Sequence, residues 1–175
     1  HLVHYNILFI CTYESELAYK IIKKSNYNVI HDSTNNLLEI IKSSNPYIII
    51  NDILDTKKEY IVNLKKIAKK VVNIEDLGDG SVYSDLTINA LYPATLPLSN
   101  NVYSGHNYFC LRDEFRYSIK SKLNNDVSNI CILFGGVDEH NITSRVINLV
   151  LNSKLLSGCT LHVILGPGYK HELEN

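Results

Sequence analysis

The chain has 175 residues, 45% of them hydrophobic, enough to bury an ordinary globular core in one domain, or in one domain and part of another. Its 17 basic and 18 acidic side chains leave a formal net charge of -1, which excludes a strong electrostatic pull toward nucleic acid or anionic lipid. No apolar run approaches the roughly 20 residues that span a bilayer, and residues 1–6 lack a basic-then-apolar signal pattern. No membrane insertion and a cytoplasmic location are therefore expected.

In chain order, residues 6–11 form an Ile-, Leu- and Phe-containing run that predicts a strand buried on both faces. Leu17, Ala18, Ile21 and Ile22 recur at helical spacing, with Lys20, Lys23 and Lys24 solvating the other face. A second strand at 27–30 precedes a helix carrying Leu37, Leu38, Ile40 and Ile41, for which Ser33 or Thr34 is the expected cap. Residues 47–50 read as a third buried strand ending abruptly in Asn51 and Asp52. Thr56 and Glu59 have capping-box spacing and announce a helix with Tyr60, Ile61, Leu64, Ile67 and Ala68 along one stripe. Strands are expected at 71–74 and 86–90, a loop at 91–101, a strand-like run at 102–111, a helix at 112–123 and a linker at 124–128. A strand at 130–134, a helix at 141–156 and a strand at 161–165 then lead to Gly166-Pro167-Gly168.

Strands alternating with helices at this spacing predict an α/β fold, a Rossmann-like parallel sheet with helices on both faces. The last strand-helix-strand unit is too small to bury an independent core. Cys11, Cys110, Cys131 and Cys159 show no C-x-x-C pairing and are expected as buried free thiols. The seven histidines lack metal-ligand spacing, so neither a metal nor a cofactor is expected.

Three groups of residues bear on chemistry. The strand 130–134 runs into Gly135, Gly136, Val137 and Asp138 before a helix, an arrangement whose backbone amides suit phosphate or pyrophosphate, although many plain turns contain glycine. Asp138 and Asn141 there read as helix caps rather than catalysts. In the segment 105–115, Gly105, His106, Tyr108 and Arg112 stand together, and only three of the 17 basic side chains are arginines. Arg112 suits bidentate contact with phosphate or carboxylate and equally an ion pair at a domain seam; for Arg116 the ion pair is the preferred reading. The strand-end groups Asp52, Glu75, Asp76 and Asn89, with His106, are candidates for acid-base work or polar support, and equally for capping and turn bracing. No G-x-S-x-G elbow, Walker loop or H-E-x-x-H motif is present, and no lysine stands where a phosphoacceptor domain requires one.

The ordered set Tyr47-Ile48-Ile49-Ile50-Asn51-Asp52, Val72-Asn73-Ile74-Glu75-Asp76-Leu77-Gly78, Asp85-Leu86-Thr87-Ile88-Asn89, Gly105-His106-Asn107-Tyr108, Leu111-Arg112-Asp113-Glu114-Phe115 and Phe134-Gly135-Gly136-Val137-Asp138 resembles the spore-coat polysaccharide biosynthesis protein G family. That family is similar to the UDP-sugar hydrolase of pseudaminic acid synthesis. The resemblance implies a two-domain, glycosyltransferase-B-like architecture related to the peptidoglycan N-acetylglucosaminyltransferase, with an interdomain cleft for a UDP- or CMP-linked sugar. It also implies that residues 1–124 form an N-terminal Rossmann-like domain with a linking helix. Residues 125–175 would be the first βαβ unit of a second domain, the whole being truncated at both ends. Under this reading Gly135, Gly136, Asp138 and Asn141 contact the nucleotide, while Gly105, Tyr108 and Arg112 shape the cleft. The family's glycine-rich loop with its water-activating histidine has no counterpart in residues 1–5, and Asn51-Asp52-Ile53-Leu54 stands where the hydrolase has an Asp-His-Tyr-Gly type sequence. No catalytic residue is therefore assigned. The expectation is an enzyme that hydrolyses or transfers from a nucleotide-sugar, inactive as this stretch alone. The alternative is a non-catalytic module that binds the nucleotide-sugar or a pathway protein partner.

Overall fold

The computed structural model describes residues 5–92, 99–119 and 126–172. It divides into two compact units, His1–Ser118 and Ile119–Asn175. The expected boundary at 124/125 and the end of the expected 112–123 helix lie outside the described residues.

All strand pairs are parallel. In the first unit β1 (Phe9–Thr12) pairs with β2 (Val29–Asp32), joined through α1 (Glu16–Lys24). Helix α2 (Leu37–Ser44) leads to a four-stranded sheet of β3 (Ile48–Asp52), β4 (Lys70–Ile74), β5 (Leu86–Asn89) and β6 (Val102–Ser104), in that spatial order. Helix α3 (Lys58–Ile67) connects β3 to β4. The core is the meeting of α3 with this sheet: Ile61, Leu64 and Ala68 pack with Ile49, Val71 and Ile41, and Ile10 of β1 joins their edge. Because side chains alternate along a strand, the buried positions of β3 to β5 are Ile49, Asn51, Val71, Asn73, Thr87 and Asn89. Truncating Leu64, which has no exposed surface, is expected to lower the stability of this unit by about 3 kcal/mol, read from urea denaturation of Leu64→Ala.

The parallel α/β architecture matches the alternation in the sequence, but helices do not cover both faces of the four-stranded sheet among the described residues. Ile48, Ile50 and Ile74, on the face away from α3, are exposed. Other local expectations change as well. The strand-like run 102–111 ends at Ser104, because Gly105 takes a φ of 97° that no strand adopts and opens a 3-10 turn, His106–Tyr108. The helix beyond it, α4, is one turn long (Asp113–Arg116), with Phe115 and Ile119 exposed rather than packed. Helix α3 begins at Lys58 without the capping box: the Thr56 hydroxyl is engaged elsewhere, and Asp79 accepts the Lys58 N–H at 3.1 Å. Helix α2 begins without a side-chain cap from Ser33 or Thr34; Asp32 instead accepts the N–H of Thr34 and of Asn36 and fixes the turn before the helix.

In the second unit β7 (Asn129–Leu133) and β8 (Thr160–Ile164) flank α5 (Ile142–Leu151), which a 3-10 turn at Lys154–Leu156 follows. Ile132 and Thr143 are its buried residues among those described, as expected of a unit with so little to cover. The expectation of buried thiols holds for Cys11 alone. Cys110 and Cys131 are exposed and Cys159 is half-buried. Cys131 lies in register with His162 on the face of β7 opposite Ile132, which explains its exposure. No helix among the described residues is long and apolar enough to cross a membrane.

Candidate functional site

The C-terminal ends of parallel strands gather the polar candidates, as the alternation of strand and helix requires. In the first unit they form a buried network. Asn51 donates to Asn73 Oδ1 at 2.8 Å across the β3–β4 pair, and Asn73 donates to Asp76 Oδ2 at 2.6 Å. The Asp76 carboxylate also accepts the Thr56 N–H (2.9 Å), the Thr56 hydroxyl (2.5 Å) and the Gly78 N–H (2.9 Å). Four donors on a carboxylate with about four lone-pair sites leave none facing a substrate, and Asp76 is fully buried. Asn89 clamps the Asp76 backbone with both ends of its amide, accepting its N–H at 2.9 Å and donating to its carbonyl at 2.8 Å. The Tyr60 hydroxyl donates to Asn51 Oδ1 at 3.3 Å, and burial pushes its pKa up to about 12, so it remains a donor at any physiological pH.

Of the acid-base candidates, then, Asp76 and Asn89 brace the strand ends. Glu75 does the same: it sits at φ 52° and accepts the N–H of Ala90 at 2.9 Å and of Leu91 at 3.2 Å. Asp52 at the end of β3 and His106 in the 3-10 turn are exposed. Gly105 continues the β5–β6 ladder through its N–H to the Asn89 carbonyl at 3.0 Å. Tyr108 stacks edge-on against Tyr103 with ring centroids 5.3 Å apart. Arg112 lies over the Phe115 ring at 5.1 Å, and its nearest carboxylate, Glu114, is at 4.0 Å; Arg116 reaches Asp113 at 3.9 Å. Both arginines are exposed, where such ion pairs contribute little.

The second unit brings Gly135, Gly136, Asp138 and Asn141 together in the turn between β7 and α5. Gly135 (φ 67°) and Gly136 are exposed, with nothing within 4 Å of where a Cβ would stand. The first amides of α5 are not open to a ligand: Asp138 accepts the Ile142 N–H on one oxygen and the Thr143 N–H on the other, each at 2.8 Å. Desolvation opposes ionisation of Asp138, but the hydrogen bonds from Thr143 and Ile142 outweigh it and hold the carboxyl below the usual range. Asp32, through Asn36 and Thr34, and Asp85, through the Val71 N–H with Lys65 and Lys70, are likewise lowered against the same desolvation. The unfolded chain, with carboxyl values of about 3.9, binds these protons first, so their stabilisation is complete above about pH 5 and is lost as pH falls through the depressed folded values. Denaturation midpoints should therefore drop as pH falls below about 5, and Asp138→Asn should flatten that slope for the second unit.

The pairing of β7 with β8 sets a second loop beside this turn, and the sequence signal there stopped at Gly166-Pro167-Gly168. Beyond those residues Tyr169 donates its hydroxyl to Asn141 Oδ1 at 2.8 Å, and His171 Nε2 lies 2.9 Å from the Asp138 carbonyl. Thr56 was read as a helix cap and Asn73 and Asp79 were given no role, because Thr56 and Asp79 meet partners 20 and 21 residues away and the Asn73–Asp76 bond forms only where the chain turns after β4.

Parallel strands alternating with helices, with polar braces and a glycine turn at the strand ends, define an α/β protein. The chain is 29% identical, over 186 aligned positions, to Uncharacterized protein MJ1062 of Methanocaldococcus jannaschii. The alignment takes in 97% of this chain and 37% of that protein, so the chain spans little more than a third of the relative's length. No protein-family model matches the chain. No solved structure matches it either.

Proposed function

We propose that this chain binds a UDP- or CMP-linked sugar as part of a glycosyltransferase-B-like enzyme of polysaccharide biosynthesis. The observation that carries the reading is the Gly135–Gly136 turn. It stands at the C-terminal end of a parallel strand, is open on the side where other residues carry a Cβ, and leads into a helix of ten residues. Glycines at such a turn let a diphosphate approach the backbone. The ordered resemblance over residues 47–141 to the spore-coat polysaccharide biosynthesis protein G family supplies the ligand class. A cytoplasmic setting and hydrolysis or transfer at the sugar-phosphate bond belong to the same reading. Calorimetric titration with UDP-N-acetylglucosamine and with CMP-N-acetylneuraminate tests it: saturable binding of either is expected, and no heat with both overturns it.

A non-catalytic module, binding the nucleotide-sugar or a pathway protein partner, is the second reading. It is favoured by the engagement of Glu75, Asp76 and Asn89 in backbone and side-chain bracing, which leaves Asp52 and His106 as the exposed candidates at those strand ends. Release of free nucleotide from a bound nucleotide-sugar, followed by chromatography, separates the two: turnover overturns the module.

A further inference from the structure

Two residues of the β7–α5 turn, Asp138 (φ 48°) and Asn141 (φ 50°), hold left-handed backbone that residues with a Cβ adopt at a cost. Such conformations persist where neighbours over-determine them. In this unit the neighbours are specific. Each left-handed residue is gripped by one side chain of the loop after β8: Asn141 by the Tyr169 hydroxyl at 2.8 Å, and Asp138, through its carbonyl, by His171 Nε2 at 2.9 Å. A carbonyl only accepts, so Nε2 of His171 carries a proton. Ahead of the two grips in both loops, the Gly168 N–H donates to the Gly136 carbonyl at 2.8 Å, and Gly166 lies against the carbonyls of Gly135 and Gly136. The Tyr169 and His171 rings prop each other edge-on, with centroids 5.4 Å apart. Three hydrogen bonds and a close backbone contact thus run from one loop to the other, and both side-chain bonds fall on the residues that would relax first.

We propose that Tyr169 and His171 are positioning residues, which hold the 134–141 turn in the single shape that presents Gly135 and Gly136 to ligand without touching the ligand themselves. This rests on the nucleotide-sugar reading for the identity of the ligand, but the clasp itself has an independent readout.

The test uses the 175-residue chain and its Tyr169→Phe, His171→Ala and His171→Gln variants, with amide hydrogen exchange over residues 134–143 and titration with UDP-N-acetylglucosamine. Tyr169→Phe and His171→Ala should each speed exchange in that segment roughly fivefold to tenfold and weaken binding by a similar factor, with exchange in residues 48–89 unchanged. Glutamine can place an amide N–H where His171 Nε2 stands, so His171→Gln should recover both quantities to within about twofold. Unchanged exchange in both loss variants, or a glutamine variant as impaired as the alanine one, overturns the clasp. Altered exchange with rescue, but no binding by the parent chain, supports the clasp and instead overturns the nucleotide-sugar reading.

Discussion

Replacing Asp76 with alanine is expected to destabilise the first unit by about 4 kcal/mol, the largest effect of any polar substitution among the described residues. The residue is fully buried, and its removal strands the Thr56 N–H and hydroxyl, the Asn73 amide and the Gly78 N–H in a place water does not reach. Desolvated donors without acceptors each carry a penalty of about 1–3 kcal/mol, moderated by whatever relaxation the site permits. Little relaxation is open here, because Gly78 already lies so close to the Thr56 backbone that even a Cβ would collide with it. Asp76→Asn keeps one acceptor oxygen but turns an N–H group toward existing donors, so about half the loss is expected to remain. Urea denaturation followed by far-UV circular dichroism measures both. A folded Asp76→Ala protein of near-parental stability would return Asp76 to the list of candidate acid-base groups, since it would show that the four donors do not depend on it.

The same residue shows where sequence reasoning reaches its limit. The parallel strands and the helices between them were legible because burial leaves a pattern on them: Ile61 and Leu64 declare a helix face by their spacing, whereas the unbroken apolar runs at 47–50 and 71–74 declare strands without saying that Ile49 and Val71 are the covered positions. Polar strand ends declare only that something polar is satisfied there. Asp76, Asn89 and Glu75 could be located from the sequence but not assigned, because the choice between acid-base work and bracing depends on which donors converge, and Thr56 converges on Asp76 across 20 residues of chain. Caps failed in the same way. A capping box at Thr56 and Glu59 is a local pattern, yet the acceptor that reaches Lys58 is Asp79, brought by the turn after β4. The glycine turn before α5 was legible as a turn, and Asp138 as a cap. The loop that holds it was not, since a tyrosine and a histidine after a Gly-Pro-Gly run have no signature until β7 and β8 are paired.

That pairing makes Gly166 the most sensitive glycine among those described in the second unit. A Cβ there would run into the carbonyls of Gly135 and Gly136, and backbone cannot step aside as the end of a flexible side chain can. Gly166→Ala must therefore push the two loops apart. Separating them lengthens the Gly168 N–H to Gly136 carbonyl bond and pulls Tyr169 and His171 off Asn141 and Asp138. The expected cost is about 2 kcal/mol, in the range of overpacking, and it falls on a unit with few buried side chains to absorb it. If Gly135 and Gly136 receive a nucleotide-sugar, affinity for UDP-N-acetylglucosamine should drop at least about tenfold with it. Gly158→Ala is the matched control: it lies in the same unit with open space around its Cβ position, and should change neither amide exchange of the 134–143 segment nor binding. Exchange in Gly166→Ala equal to that of Gly158→Ala would show that the two loops tolerate separation. The shape of the glycine turn would then have to come from Asp138 and its two α5 amides alone.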